Sequence, residues 1–92
     1  MRQMMLTDVM FIDHDDANEA MKFLAGRGFE VEVLESYDVF EGHGPTILVR
    51  VTELTEDDAG VFLHKMTALM KPFLGDVSEA GPADRIEKGR EE

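Results

Sequence analysis

The fold is decided by residues 9–12, Val-Met-Phe-Ile, an apolar run typical of a strand that is buried on both faces. An amphipathic stretch follows, and residues 29–33, Phe-Glu-Val-Glu-Val, then alternate as a half-exposed strand does. The same order repeats with residues 47–51, Ile-Leu-Val-Arg-Val, a longer amphipathic stretch and a short run around Val77. Strand–helix–strand twice over predicts an α+β fold: a ferredoxin-like two-layer sandwich (β-α-β-β-α-β) with an antiparallel sheet of order 4-1-3-2.

Cap and turn residues predict where these elements begin and end. Asp15 or Asp16 can accept bonds from the free N–H groups of the first helix, and Thr55 can do the same for the second. Pro72 should end the second helix, since proline cannot donate to the preceding turn, and Gly75 then turns the chain into the last strand. The predicted ranges are a first strand within 4–12, helices over 15–25 and 55–72, a loop over 37–45, a third strand over 46–54, and a domain over 1–80 followed by a flexible tail of mixed charge over 81–92.

The composition excludes several classes of site and partner. Cysteine is absent from the 92 residues, so the chain has no disulfide and no thiolate metal site, which favours a reducing compartment. Twenty acidic residues against nine Lys and Arg give a formal net charge of -11, which argues against binding to phosphate backbones and anionic membranes. No stretch approaches the roughly 20 apolar residues of a membrane span. We therefore expect a cytoplasmic protein that binds neither nucleic acid nor membrane.

The predicted topology brings histidines and carboxylates to one end of the molecule. Asp13, His14 and Asp15 follow the first strand, and His43 lies in the hairpin loop. Two imidazoles and several carboxylates suit a divalent metal or a general acid–base pair. However, Asp15 is already explained as a helix cap, and the spacing matches no established metal motif. The sequence gives these four residues as ligand or metal candidates, and it predicts no cofactor, no resident metal and no catalytic residue.

The second candidate site is the sheet face that the helices leave uncovered. The first strand is apolar at consecutive positions, so either residues 9 and 11 or residues 10 and 12 must point away from the helices. One register that keeps the strand parities pairs Glu32 with Arg50 and Leu34 with Leu48, giving an apolar centre with a charged edge. We predict that a protein partner or a second copy of the chain (a homodimer) covers this face. The candidate interface residues are Val9, Met10, Phe11, Ile12, Leu34, Leu48 and Arg50.

Two junctions carry a resemblance to a known family. Gly28-Phe29-Glu30-Val31 leads from a helix into a strand, and Phe73-Leu74-Gly75-Asp76 leads out of the second helix. With the segments 15–33, 44–49 and 69–76 around them, they resemble the family of the regulator of ribonuclease E activity B. That family carries a tryptophan in its last strand and a longer N-terminal region, both of which this chain lacks. The resemblance implies an acidic, cytoplasmic, ferredoxin-like protein that binds another protein, and it carries over no functional residue.

Three functions stay open at this point. The leading hypothesis is a non-catalytic protein-binding or regulatory module that uses the uncovered sheet face. The second is a small-ligand or metal-sensing domain. The third is a cofactor-free enzyme resembling the dimeric α/β-barrel group, with His14 or His43 as its base.

Overall fold

The structure is a computed structural model, and it describes residues 2–38 and 45–83. Within those ranges the chain forms four strands, two α-helices and one turn of 3-10 helix. The elements in chain order are β1 (Gln3–Phe11), α1 (His14–Gly26), β2 (Glu30–Asp38), β3 (Pro45–Thr55), α2 (Ala59–Met70), the 3-10 turn (Lys71–Phe73) and β4 (Asp76–Pro82).

The four strands form one open antiparallel sheet in the order β2-β3-β1-β4. β1 is a central strand, and it pairs with β3 along its full length and with β4 on its other side. α1 and α2 contribute buried residues to the same core cluster as the sheet. The structure is therefore α+β, with an open sheet and two helices arranged consistently with a two-layer sandwich.

The core lies between the helices and the odd-numbered residues of β1. Met5, Val9 and Phe11 are fully buried there, because alternate residues of a strand point to one face of the sheet. Two of the predicted interface residues, Val9 and Phe11, are therefore wrongly assigned: they pack in the core and cannot contact a partner. The helix side chains in the same cluster are Ala17, Ala20 and Leu24 of α1 and Phe62, Met66 and Met70 of α2.

Both helices begin at a different cap from the one predicted. Asp13 caps α1, and its side chain accepts a hydrogen bond from the Asp15 backbone N–H at 2.7 Å. Asp58 caps α2 and accepts from the Val61 N–H at 2.9 Å, whereas Thr55 accepts from the Asp57 N–H in the turn before the helix. A cap needs extended backbone followed by helical backbone, and in this chain Asp13 and Asp58 have it.

α2 ends two residues before Pro72, which lies in the 3-10 turn, and the last strand is longer than predicted. The helix ends at Met70, and Leu74, with φ 58°, takes the left-handed conformation that reverses the chain. β4 then runs through Pro82, two residues beyond the predicted end of the domain. The remainder of the predicted tail, residues 84–92, lies outside the described residues, as do residues 39–44 of the predicted hairpin loop.

Candidate functional site

The sheet face opposite the helices is the first candidate site, and we call it the open face. It consists of the even-numbered residues of β1 and β3 with two glutamates of β2, since directly paired residues share a face. Cross-strand neighbours on it include Met4 with Leu54 and Met10 with Leu48. Its members are Met4, Leu6, Asp8, Met10, Leu48, Arg50, Thr52, Leu54, Glu30 and Glu32.

The open face is apolar and exposed at both ends. Met4 and Leu54 are 40% and 53% exposed at one end, and Met10 is 38% exposed at the other. Ile12 is 61% exposed directly after β1, and Leu48 is half-buried beside Met10. Of the predicted interface residues, Met10, Ile12, Leu48 and Leu34 are therefore at least partly accessible, and the first two are strongly so.

An ion pair lies at the centre of the open face. Arg50 Nε donates to Asp8 Oδ1 at 3.1 Å, and the Asp8 side chain is only 1% exposed. The Nη2 atom of Arg50 is also buried and has no hydrogen-bond partner among residues 2–38 and 45–83. The sequence-based prediction included Arg50 but missed Asp8. The available signal was the one acidic residue of a mostly apolar strand, placed opposite the one cationic residue of β3.

The predicted register of β2 against β3 is half right. Glu32 pairs with Arg50, as expected, but Leu48 pairs with Glu35 rather than with Leu34. A bulge between Val33 and Glu35 inserts one residue into β2, so the pairing shifts after Val33. Leu34 therefore does not lie opposite Leu48, and the predicted pair of these two leucines does not form.

A cleft of about 550 Å³ opens at the Met4 end of the open face. Glu30 and Glu32 lie next to each other on one side of it, since they are two residues apart on the same strand. Arg50 and Thr52 of β3 line it as well, and Ala83 stands at its edge, where β4 has just ended. The full lining is Met4, Glu30, Val31, Glu32, Arg50, Thr52 and Ala83.

The histidine cluster is the second candidate site, and the described residues hold only part of it. His14 is the first residue of α1 and is exposed. The side chain of Asp13 caps α1 by accepting a hydrogen bond from the Asp15 backbone N–H. His43 lies outside the described residues, so its distance from His14 is not part of this structure. Across residues 2–38 and 45–83, no group of three or more histidines and carboxylates is arranged to hold a metal ion.

A third titratable cluster links the start of α2 to β3. Lys65 Nζ donates to Glu53 at 2.6 Å and to Asp57 at 2.9 Å, and it lies 5.3 Å and 5.7 Å from the ring centroids of Phe62 and Phe29. The hydrogen bond from Lys65 lowers the pKa of Asp57. Partial burial pulls the pKa of Lys65 down, but its two carboxylate partners outweigh that effect and raise it. Lys65 bonds to both carboxylates of this cluster, so we interpret the cluster as structural.

Replacing Lys65 by methionine should lower the free energy of unfolding by about 1 kcal/mol, since partly exposed ion pairs and cation–π contacts each contribute a fraction of that. The ordinary pKa of Asp57 is 3.8, and its pKa in the folded chain is lower. The ion pair of Asp57 with Lys65 therefore stabilises the fold fully above pH 3.8, and this stabilisation is lost as the pH falls through the folded pKa. In urea titrations, the gap between wild type and Lys65→Met should therefore narrow below about pH 4. The exposed Lys22→Met control should show no gap, and a gap that widens in acid contradicts the assignment.

The comparisons with known proteins leave the site to be judged on its own geometry. No protein-family model matches this chain. Comparison with curated proteins gives no significant match, and neither does comparison with solved structures. Within the described part of the chain, no helix is both long enough and apolar enough to cross a membrane.

Proposed function

We propose that this chain is a small, acidic, non-catalytic module that binds another protein through its open face. The observation that carries the proposal is the exposure of Met4, Met10 and Leu54 on neighbouring central strands, on the side that neither α1 nor α2 covers. Leu6 and Asp8, which lie between Met4 and Met10 on this face, are each 1% exposed, so the accessible apolar surface is at the two ends of β1 and on Leu54. Single exposed apolar residues are ordinary on a monomer, and we propose an interface because three of them lie on one sheet face. The fold alone does not support any particular function.

The finer fold assignment belongs to the same proposal. We propose that the sandwich is ferredoxin-like, which the strand order read from the β4 edge and the core shared by both helices and the sheet support. The resemblance of two junctions to the regulator of ribonuclease E activity B supports the same class, an acidic regulator that acts by binding a protein. It supports no particular target.

The free energy gained by burying the apolar residues of the open face is too small to hold a partner without polar contacts. Burying the accessible parts of Met4, Met10, Ile12 and Leu54 would contribute about 1 kcal/mol each, or ~4 kcal/mol together. Association costs at least about 4 kcal/mol in lost translational and rotational freedom. The apolar ends therefore cannot hold a partner by themselves, and the polar residues of the face must contribute. A second copy of the chain would carry the same net charge of -11, which disfavours a homodimer at low salt.

Two matched substitutions test the use of this face. Leu54 on the open face and Val61 on α2 are 53% and 52% exposed, so a glutamate at either position has a similar cost in the free protein. We expect Leu54→Glu to weaken association by about tenfold or more and Val61→Glu by less than about twofold. The measurements are light scattering for self-association and quantitative affinity capture for other proteins. A monomer whose captured proteins respond equally to both substitutions would contradict the proposal.

A small-ligand sensor is the second candidate, and the cleft of about 550 Å³ is the observation that favours it. Its volume is in the usual range for small-molecule sites. A ligand that binds only the folded chain must raise the melting temperature by mass action. A thermal-shift panel of amino acids, nucleotides and metal ions should then show a hit that Thr52→Val removes, whereas a flat panel would leave protein binding as the only function proposed for this face.

A further inference from the structure

We infer that the partner presents a basic segment to the open face, with a Lys or Arg side chain seated in the cleft beside Glu30 and Glu32. The inference rests on the proposed function, because it specifies the chemistry of the partner that the open face binds. It is carried by the charges that line the cleft, by the shape of the cleft and by the net charge of the chain.

The two glutamates form a carboxylate pair that a single cation can bridge. Glu30 and Glu32 point to the same side of β2, so their Cα atoms are about 7 Å apart, and two flexible side chains of this length converge easily on one ammonium or guanidinium group. Both residues are exposed. Neither forms an ion pair with any residue in the ranges 2–38 and 45–83.

The nearest cation of the chain is already committed elsewhere. Arg50 lies directly across from Glu32, but its Nε donates to the buried carboxylate of Asp8. Turning Arg50 toward Glu32 would leave Asp8 buried without this partner, which is far more costly than an exposed glutamate in water. Within residues 2–38 and 45–83 the charges of Glu30 and Glu32 are therefore uncompensated, and a basic side chain of a partner can pair with both.

The cleft also suits the apolar stem of a basic side chain. Met4 lines it beside the two carboxylates and is 40% exposed, so the methylene groups of a lysine or an arginine can lie on its apolar surface while the charged end reaches the glutamates. The net charge of -11 adds a long-range attraction for a basic partner and a repulsion for an acidic one. We expect this charge to act mainly on the association rate and on its dependence on salt.

A peptide of defined composition tests the inference on the full chain. The probe is a fluorescein-labelled peptide of about ten residues with Lys or Arg alternating with Leu, and its control has Gln at every basic position. Fluorescence anisotropy should show binding of the basic peptide that is strong at about 50 mM salt, weaker at about 300 mM, and absent for the Gln peptide. Failure of the basic peptide to bind at low salt overturns the inference.

Two charge-matched double variants locate the contact. Glu30→Gln with Glu32→Gln changes the net charge by the same amount as Asp15→Asn with Glu19→Gln on the exposed side of α1. We expect the first to weaken the basic peptide by about tenfold and the second by less than about threefold, since only the first removes a direct contact. Equal losses would mean that net charge alone attracts the peptide, which overturns the cleft as its site.

Other occupants give different results. If the full chain is a dimer that Leu54→Glu dissociates, a second copy takes the face. Residues 84–92 continue from Ala83 at the cleft and contain Arg85, Lys88 and Arg90, so they are the remaining occupant to test. If replacing these three by Gln raises the affinity of the basic peptide about tenfold, the chain itself fills the cleft. Either result overturns the inference. Capture that depends on Leu54 but not on Glu30 and Glu32 overturns it too, while leaving the proposed function standing.

Discussion

Replacing Asp8 by alanine should lower the free energy of unfolding by about 3–5 kcal/mol, the usual cost of breaking a buried ion pair from one side. Asp8 is 1% exposed, and its carboxylate accepts from Arg50 Nε at 3.1 Å. After the substitution the guanidinium stays largely buried and loses the carboxylate that balances its charge. Arg50 is poorly placed to tolerate this, because its buried Nη2 has no hydrogen-bond partner in the described part of the chain. Urea unfolding of the full chain at neutral pH measures the change.

Two control variants distinguish the cost of an unpaired buried charge from the cost of removing a side chain. Glu19→Ala removes an exposed carboxylate from α1, and it should change the stability by less than about 0.5 kcal/mol. Asp8→Val combined with Arg50→Met replaces both charges by apolar groups of similar size and should recover part of the loss, since Arg50 is then no longer a buried charge without Asp8. If Asp8→Ala costs less than about 1 kcal/mol, the pair is not desolvated as its burial indicates.

The strands could be predicted from the sequence more accurately than the surface of the sheet. Hydrophobic periodicity depends on local spacing, and it placed β1, β2 and β3 correctly to within a few residues. Which parity of β1 faces the helices depends on packing with α1 and α2, and a strand that is apolar at both parities does not reveal it. Val9 and Phe11 were therefore wrongly included in the interface, and their odd-numbered neighbour Met5 confirms the parity.

The candidate site was predicted only where a local rule applied. Parity conservation gave the pairing of Glu32 with Arg50, but a bulge adds one residue that no periodicity rule anticipates, so Leu34 was misplaced. The cleft beside Glu30 depends on how β4 and Ala83 approach from the far end of the chain. Such long-range placement lies beyond pattern reasoning on one sequence. The exposure of Met10 was among the predicted alternatives, because one of the two parities had to be accessible.

Gly75→Ala should lower the free energy of unfolding by about 2 kcal/mol, within the usual range for overpacking a core. A Cβ atom at this position would lie 2.8 Å from Phe11 Cε1 and 2.8 Å from Val9 Cγ1, both of which belong to fully buried side chains. Gly75 does not have a positive φ, so the alanine is not strained in its backbone. The sequence suggested Gly75 as a turn residue, but Leu74 makes the turn and Gly75 provides room for β1.

Two further variants show whether close approach is the cause. Gly26→Ala at the end of α1 meets nothing within 4 Å and should be neutral or stabilising by up to about 1 kcal/mol, because alanine favours the helix more than glycine does. In a Phe11→Leu background the ring atoms nearest to Gly75 are gone, so Gly75→Ala should cost about 1 kcal/mol less than it does in wild type. Thermal and urea unfolding of the four proteins in this cycle measure the coupling. Additive effects would mean that Phe11 is not the obstacle, and that the cost arises where Gly75 meets Val9 or in the hydrogen bond from its N–H to the Met70 carbonyl.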